Sequence, residues 1–367
     1  MRLGVSAALV GETFVPGDVE IADGVISAYG VSSPNGRGRG IVAPGFLDLQ
    51  VNGFAGVDLL EADAEGFRRV GDALLETGVT AYLPTFITAP EEHLIEALRG
   101  VPAAAEGPRI LGVHLEGPFL AERRLGTHPP AHRRDPDAAL LERLLSAGPV
   151  RLMTLAPELP GASGLIDHLH ARGVTVSCGH SDATAKEAEA AFDRGIRTVT
   201  HLFNAMRPLR HRDPGIVGAA LVRDDVVVQI ILDGIHMADE TAKVVWRAAA
   251  GRVALVTDAI AGAGTLGDDG ASSLGGFDVT IRDGVALGPD GVLAGSLLTM
   301  IEAVRNLHAL GVPLEAALAA GSAVPARVIG AEATAGIEVG RPADLIVLDD
   351  NLAVERVLVG GEALVAA

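Results

Sequence analysis

A chain of 367 residues that is 49% hydrophobic but only 3% aromatic has the material for a large core of Ala, Val, Leu and Ile, with 46 glycines to serve its turns. This composition excludes a disordered chain. The formal charge of −18 argues against a nucleic-acid partner, and one cysteine, Cys178, excludes a disulfide framework or a Cys-rich zinc module within the chain.

In chain order, the first 40 or so residues read as short strands and turns, with Asp23-Gly24 as a hairpin turn inside VEIADGVISAYG. Apolar, strand-like runs follow at IVAPGFLDLQ, VTAYLPTFIT, RILGVHLEG, VRLMTLAP, VTVSCGH, RTVTHLF, VVVQIILDG and RVALVTDA. Between most of them lie stretches with apolar residues at helical spacing, such as EGFRRVGDALLETG and TAKEAEAAFDRG, several of which end in Gly. Alternating strand and helix implies a parallel sheet, and eight strands are the number that closes a (β/α)8 barrel. An open doubly wound sheet is the other way to use the same alternation. The C-terminal IEVGRPADLIVLDDNLAVERVLVGGEALV returns to strand and turn. Residues 1–43 and 331–367 are therefore expected to join into one small β domain, with the barrel over 44–330 inserted between them. No run is apolar for long enough to span a membrane, and MRLGVSAALVGETF lacks a leader pattern, so the expected location is the cytoplasm.

The polar residues gather at the ends of the strand-like runs: Gln50 and Asn52 after the first, His114 and Glu116 in the third, His180 after the fifth, His201 in the sixth, Asp233 and His236 after the seventh, Asp258 in the eighth. In a barrel these ends converge on the face where active sites are built. A lone His or Asp there caps a helix as often as it does chemistry, but residues of this kind at successive strand ends indicate a site. Two imidazoles and a carboxylate are a common ligand set for catalytic Zn²⁺, and Glu116, His180 and His201 fit those roles. Asp258, a carboxylate left over from the metal, fits a general acid and base. Spacing alone does not separate this arrangement from a phosphatase or a lyase.

The strings PGFLDLQVNG, HLEGPFL, GTHPPAH, GHSDAT, THLFNAM, DGIHM, VTDAI and LAGS occur in that order. Together they resemble the N-acetylglucosamine-6-phosphate deacetylases of the amidohydrolase superfamily, from about position 40 to ADLIVLD. The resemblance implies a (β/α)8 barrel with a small β domain from both termini, and hydrolysis of an amino-sugar phosphate to glucosamine 6-phosphate and acetate. It implies metal ligation by Glu116, His180 and His201 and acid/base chemistry by Asp258. His128 of GTH, with Thr127 beside it, is implied near the scissile acetyl group. Asn204, the backbone of Ala205 and His236 are implied in sugar-phosphate binding, and Leu293, Ala294, Gly295 and Ser296 in lining the sugar pocket. Arg212 matches an arginine that pairs with the phosphate, often from the other subunit of a homodimer.

One departure from the wider superfamily stands out. Gln50 and Asn52 occupy the positions of a His-x-His pair, and neutral amides are weak donors to divalent metals. One metal per subunit is therefore expected, Zn²⁺ first, with Fe²⁺, Co²⁺ or Mn²⁺ tolerated by the same ligands. The alternative is another amidohydrolase acting on a different N-acyl sugar or a cyclic amide; the missing His-x-His, and the absence of a Lys at the end of RLMTLAP, count against a dihydroorotase-like, dipeptidase-like or deaminase enzyme, while a different N-acyl sugar stays open. Retention of all four chemical residues counts against a non-catalytic scaffold. Cys178 is expected to be a buried inert thiol, His114 a core histidine or one supporting the metal, and Asp182 a residue that orients or caps near His180. Arg207 and Arg210 are expected at the surface or supporting the site from behind, His93, His132, His168, His170, His211 and His308 at the surface, and Trp246 in the core.

Overall fold

The run Ile41–Gln50 does not make one strand. Ile41–Pro44 and Phe46–Val51 enter different sheets, and the chain swings between them at Gly45, where an added Cβ would lie 2.0 Å from the Thr80 hydroxyl. The reason is local: only a residue without a side chain passes Thr80 at that distance. The computed structural model describes residues 1–34, 36, 38–103, 107–265 and 270–366.

Eight parallel strands form a nearly closed barrel: Phe46–Val51, Val79–Ile87, Val113–Glu116, Val150–Leu155, Thr175–Cys178, Thr198–Val199, Val227–Ile230 and Val253–Leu255. The seam between the eighth and first strands is closed beyond their ends, where Asp258 N donates to Gln50 O at 3.0 Å and Asn52 N to Ala259 O at 2.8 Å. Every residue of Val79–Ile87 is buried. That explains its largely apolar sequence, broken only by the small hydroxyls of Thr80 and Thr85 and by Tyr82, since a barrel strand is covered on both faces. Helices follow the strands, and most bury one stripe, as Phe67, Val70, Leu74 and Leu75 do on Ala64–Glu76, whereas Gly215–Val222 is buried nearly all round. The Asp63 side chain caps that helix and a Thr184–Glu187 capping box opens Ala185–Asp193.

The two ends of the chain share one sheet, in the order Thr13–Pro16, Ala7–Val10, Ile41–Pro44, Leu345–Leu348, Val354–Val359, Glu362–Ala366. Asp23 and Gly24 both adopt positive φ between Asp18–Ala22 and Val25–Val31, as a tight hairpin requires. Arg109 ties this region to the barrel through a two-pronged pair with buried Asp344, at 2.7 and 2.9 Å.

A three-stranded antiparallel sheet, Gly270–Leu274, Phe277–Arg282 and Val285–Leu287, follows the eighth barrel strand. The sequence reading treated this stretch as ordinary barrel. Its signals were present: Gly275-Gly276 and Asp283-Gly284 turns flank the alternating FDVTIR, whose burial also alternates. No helix among the described residues is long and apolar enough to cross a membrane.

Candidate active site

Glu116, His180 and His201 meet. His201 Nε2 lies 2.8 Å and His180 Nε2 3.1 Å from Glu116 Oε1, and the two imidazole nitrogens are 3.1 Å apart. All three side chains are buried, and they stand at the ends of the third, fifth and sixth strands. His180 Nδ1 faces the Arg124 carbonyl at 2.8 Å. A carbonyl only accepts, so Nδ1 carries the proton and Nε2 presents its lone pair to the cluster. Lone-pair donors converging on one point in a dry setting are what a divalent ion needs, so the residues fit such a group. Burial, the largest influence, pushes Glu116 toward protonation, but the imidazoles of His128, His180 and His201 around it outweigh burial and hold it well below the usual carboxylate range.

Backbone strain accompanies this geometry. His180, His201 and Asp258 all adopt positive φ, at 47°, 29° and 52°. Non-glycine residues rarely adopt this conformation, and each instance costs of order 1–3 kcal/mol that surrounding structure must offset.

Asp258 lies at the end of the eighth strand. Its Oδ1 accepts the side-chain N–H of Asn52 at 2.7 Å and of Gln50 at 3.0 Å, and Gln50 Nε2 also reaches Glu116 Oε1 at 3.2 Å. Burial, followed by the negative charge of Glu116, raises Asp258 to about 6, against the pull of His201, His236 and the Asn52 amide. A carboxylate tuned to that range serves as a base near neutrality and as an acid once it has gained a proton.

His128 Nε2 is 3.4 Å from Glu116 Oε2. Its Nδ1 accepts the Thr88 backbone N–H at 3.3 Å and lies 3.0 Å from the Thr88 hydroxyl. Burial first, then the neighbouring His180, lowers His128 to about 4, so the ring is neutral and its proton sits on Nε2. His128 thus presents an N–H donor beside the three-ligand cluster.

These groups line a cavity of about 300 Å³. Thr127, Asn204, Ala205, His236, Leu293 and Gly295 join them, while Ile87, Ile231, Leu274 and Val292 supply apolar wall. His236 is oriented by Asp233, whose Oδ2 is 2.7 Å from Nδ1 and whose Oδ1 accepts the His236 backbone N–H. Two residues expected to line the pocket sit behind it. Ala294 is buried in the apolar layer under the three-stranded sheet, and the Ser296 hydroxyl donates to the Thr257 carbonyl at 2.5 Å. Arg212 is exposed and does not line this cavity.

Other expectations sort as follows. Cys178 is buried, and burial pushes its thiol well above the ordinary value. His114 is fully buried, bonded to Thr154 at 2.7 Å and to the Leu49 carbonyl at 3.1 Å, and lowered to about 4 by burial: a neutral core histidine. Asp182 pairs with Arg124 at 2.7 Å and thereby steadies the segment whose carbonyl orients His180. His168 pairs with Glu142 at the surface, and Trp246 packs half-buried at the margin of the core instead of inside it. Arg207, half-buried, pairs with Asp213 at 2.8 Å.

The sequence reading missed Thr88 and Asp48. Asp48 is wholly buried and accepts from the Thr257 hydroxyl at 2.5 Å and from the backbone N–H groups of Gln50 and Thr257. A signal existed for Asp48: Asp48, Gln50 and Asn52 are polar at every second position of an otherwise apolar strand, and so share a face. Thr88 carries no such signal, because only the fold brings it against His128.

Comparison with known proteins agrees with this geometry. The Amidohydrolase family profile matches residues 41–364. The human N-acetylglucosamine-6-phosphate deacetylase is 40% identical over 346 residues, covering 89% of this chain and 83% of its own. An N-acetylgalactosamine-6-phosphate deacetylase of Escherichia coli O157:H7 is 34% identical, covering 94% and 93%. The structure of an Asp-to-Ala mutant of N-acetyl-D-glucosamine-6-phosphate deacetylase from Mycobacterium smegmatis, in complex with N-acetyl-D-glucosamine-6-phosphate, superposes with a TM-score of 0.93 at 35% identity, covering 100% of this chain and 99% of that one. The chain therefore belongs to the amidohydrolase family and stands among its N-acetylglucosamine-6-phosphate deacetylases.

Proposed function

We propose that this chain hydrolyses the acetamide of N-acetylglucosamine 6-phosphate to glucosamine 6-phosphate and acetate. The observation that carries the reading is the meeting of Glu116, His180 and His201 beside an untied face of Asp258, in a cavity that also holds the neutral His128. Glu116, His180 and His201 would hold one divalent ion, Zn²⁺ by their donor set. When bound, such an ion lowers the pKa of water and polarises a carbonyl.

The chain's own groups account for the remaining chemistry. Asp258 takes a proton from the water that attacks the acetyl carbonyl, using the oxygen that Gln50 and Asn52 leave free. His128 Nε2–H donates to the oxyanion of the tetrahedral intermediate, the largest electrostatic demand in acyl transfer. Asp258 then returns its proton to the departing nitrogen as the carbon–nitrogen bond breaks, releasing amine and acetate.

Asn204, the Ala205 backbone and His236 would receive the sugar phosphate, with Thr127, Leu293 and Gly295 along the sugar. Among the described residues, the cavity lining holds no Arg or Lys. Arg212 is an exposed guanidinium at the surface, which suits a role in a homodimer, where it pairs with the phosphate in the partner's cavity. Cytoplasmic location fits an intracellular amino-sugar phosphate substrate.

The test measures acetate release from the 6-phosphates of N-acetylglucosamine and N-acetylgalactosamine and from unphosphorylated N-acetylglucosamine, with metal analysis of the same sample. Release that depends on phosphate and on about one bound ion supports the reading. A chain loaded with metal that releases acetate from none of them refutes it.

A further inference from the structure

We propose that Ile87 and Leu274 form an apolar stop that limits the length of the acyl group this enzyme removes, an inference that rests on the deacetylase reading. An acetamide whose carbonyl faces His128 carries its methyl one bond from the reacting carbon. That methyl has no polar partner to seek, so it needs apolar surface beside the groups that face the carbonyl.

Ile87 supplies it. It is the strand-register partner of Glu116 on the neighbouring barrel strand, and paired residues of adjacent strands point to the same face. The next residue, Thr88, holds the His128 ring. Ile87 is therefore tied by one neighbour to the three-ligand cluster and by the other to the oxyanion donor, and its side chain lines the cavity.

Leu274 closes the same corner from the three-stranded sheet. It ends the strand Gly270–Leu274, and at the turn that follows an added Cβ on Gly275 would lie 2.5 Å from Ile87 Cδ1 and Cγ1. The turn is pinned, because Gly276 N donates to Asp58 Oδ2 at 3.1 Å and Asp58 is buried. Behind the corner, Ile87 and Leu274 pack with Ile260, Val279, Ala286 and Ala294 in one buried layer. A wall backed in this way does not yield to extra methylenes without displacing the sheet. The polar lining, Asn204 and His236, lies on the sixth- and seventh-strand side, where a sugar phosphate finds its partners.

The experiment compares kcat/KM for the N-acetyl, N-propionyl and N-butyryl derivatives of glucosamine 6-phosphate. The metal-loaded chain is set beside Ile87→Ala, Leu274→Ala and Ile231→Ala, the last altering the apolar wall on the seventh-strand side. The unaltered enzyme should lose at least about tenfold from acetyl to butyryl, the usual discrimination for added methylenes. Ile87→Ala and Leu274→Ala should each raise the butyryl-to-acetyl ratio by about tenfold or more, while Ile231→Ala leaves it unchanged. Should an Ala variant lack a cooperative melt, Ile87→Val and Leu274→Val give the same comparison with a smaller cavity and a smaller rise. An unchanged ratio in variants that still release acetate, or a ratio that moves with Ile231→Ala instead, overturns the proposal and leaves the deacetylase reading standing. No acetate release by the unaltered chain from any N-acetyl hexosamine phosphate overturns both.

Discussion

Asn52 donates its side-chain N–H to Oδ1 of Asp258 at 2.7 Å, across the seam where the first and eighth barrel strands meet. The position where many superfamily members are expected to place a metal-binding histidine is here a clamp on the proposed acid and base. Gln50 makes the same bond at 3.0 Å, and the amide oxygens of both residues are buried without a hydrogen-bond partner among the described residues. The two amides are thus committed through their nitrogens.

Removing that clamp should affect the chemical step more than binding. In Asn52→Ala, the carboxylate keeps only the Gln50 bond and gains freedom to turn. We expect kcat to fall about tenfold, the scale of a slight misplacement of a catalytic group, with KM and metal content nearly unchanged. Steady-state kinetics with metal analysis decides; a rise in KM at constant kcat would show that Asn52 binds substrate instead.

Asp258→Asn preserves the acceptor for both amides, because the amide oxygen can replace Oδ1, so the fold and the three-ligand cluster should persist. Proton transfer is lost. Turnover should drop by about a hundredfold or more while bound metal stays at its original level. Near-normal turnover would remove Asp258 from the acid and base role.

Asp48 makes stability depend on pH. Burial, the largest cause, raises it from 3.8 to about 7, against the Thr257 hydroxyl and two backbone N–H groups. The folded chain keeps a proton that the unfolded chain releases above about pH 4, so between those values this residue lowers stability by up to about 1.4 kcal/mol per pH unit. Asp48→Asn cannot ionise, yet its oxygen can still accept both backbone N–H groups. Relative to the unaltered chain, the variant should gain more Tm at pH 8 than at pH 5 in thermal melts. An equal change at both pH values would show that Asp48 does not titrate in this range.

Arg109→Ala tests the joint between the barrel and the sheet built from both termini. It leaves buried Asp344 with the Gly360 backbone N–H, at 2.6 Å, and without its counter-charge. Breaking a fully buried pair costs 3–5 kcal/mol. Arg109 is about one-third exposed, so we expect a loss nearer 1–2 kcal/mol after allowing for solvent screening. Urea denaturation should report that loss, with kcat at 25 °C unaffected.

Much of this protein was legible in one dimension. Alternating apolar runs and amphipathic stretches set the barrel, because period two and period 3.6 are local properties of strand and helix. Polar residues at the ends of those runs marked the site, because parallel strands bring their C-terminal ends to one face. The gathering of Glu116, His180, His201 and Asp258 at strand ends was therefore legible in the sequence alone. The tertiary structure alone decided what turns those residues into a working geometry: the Arg124 carbonyl that sets the His180 tautomer, Thr88 behind His128, the two amides on Asp258, and the Gly275 turn against Ile87. Those contacts join positions as much as 208 residues apart. Hydrogen bonds and steric stops of that kind depend on distances of a few ångströms across the closed barrel, and no local periodicity encodes them.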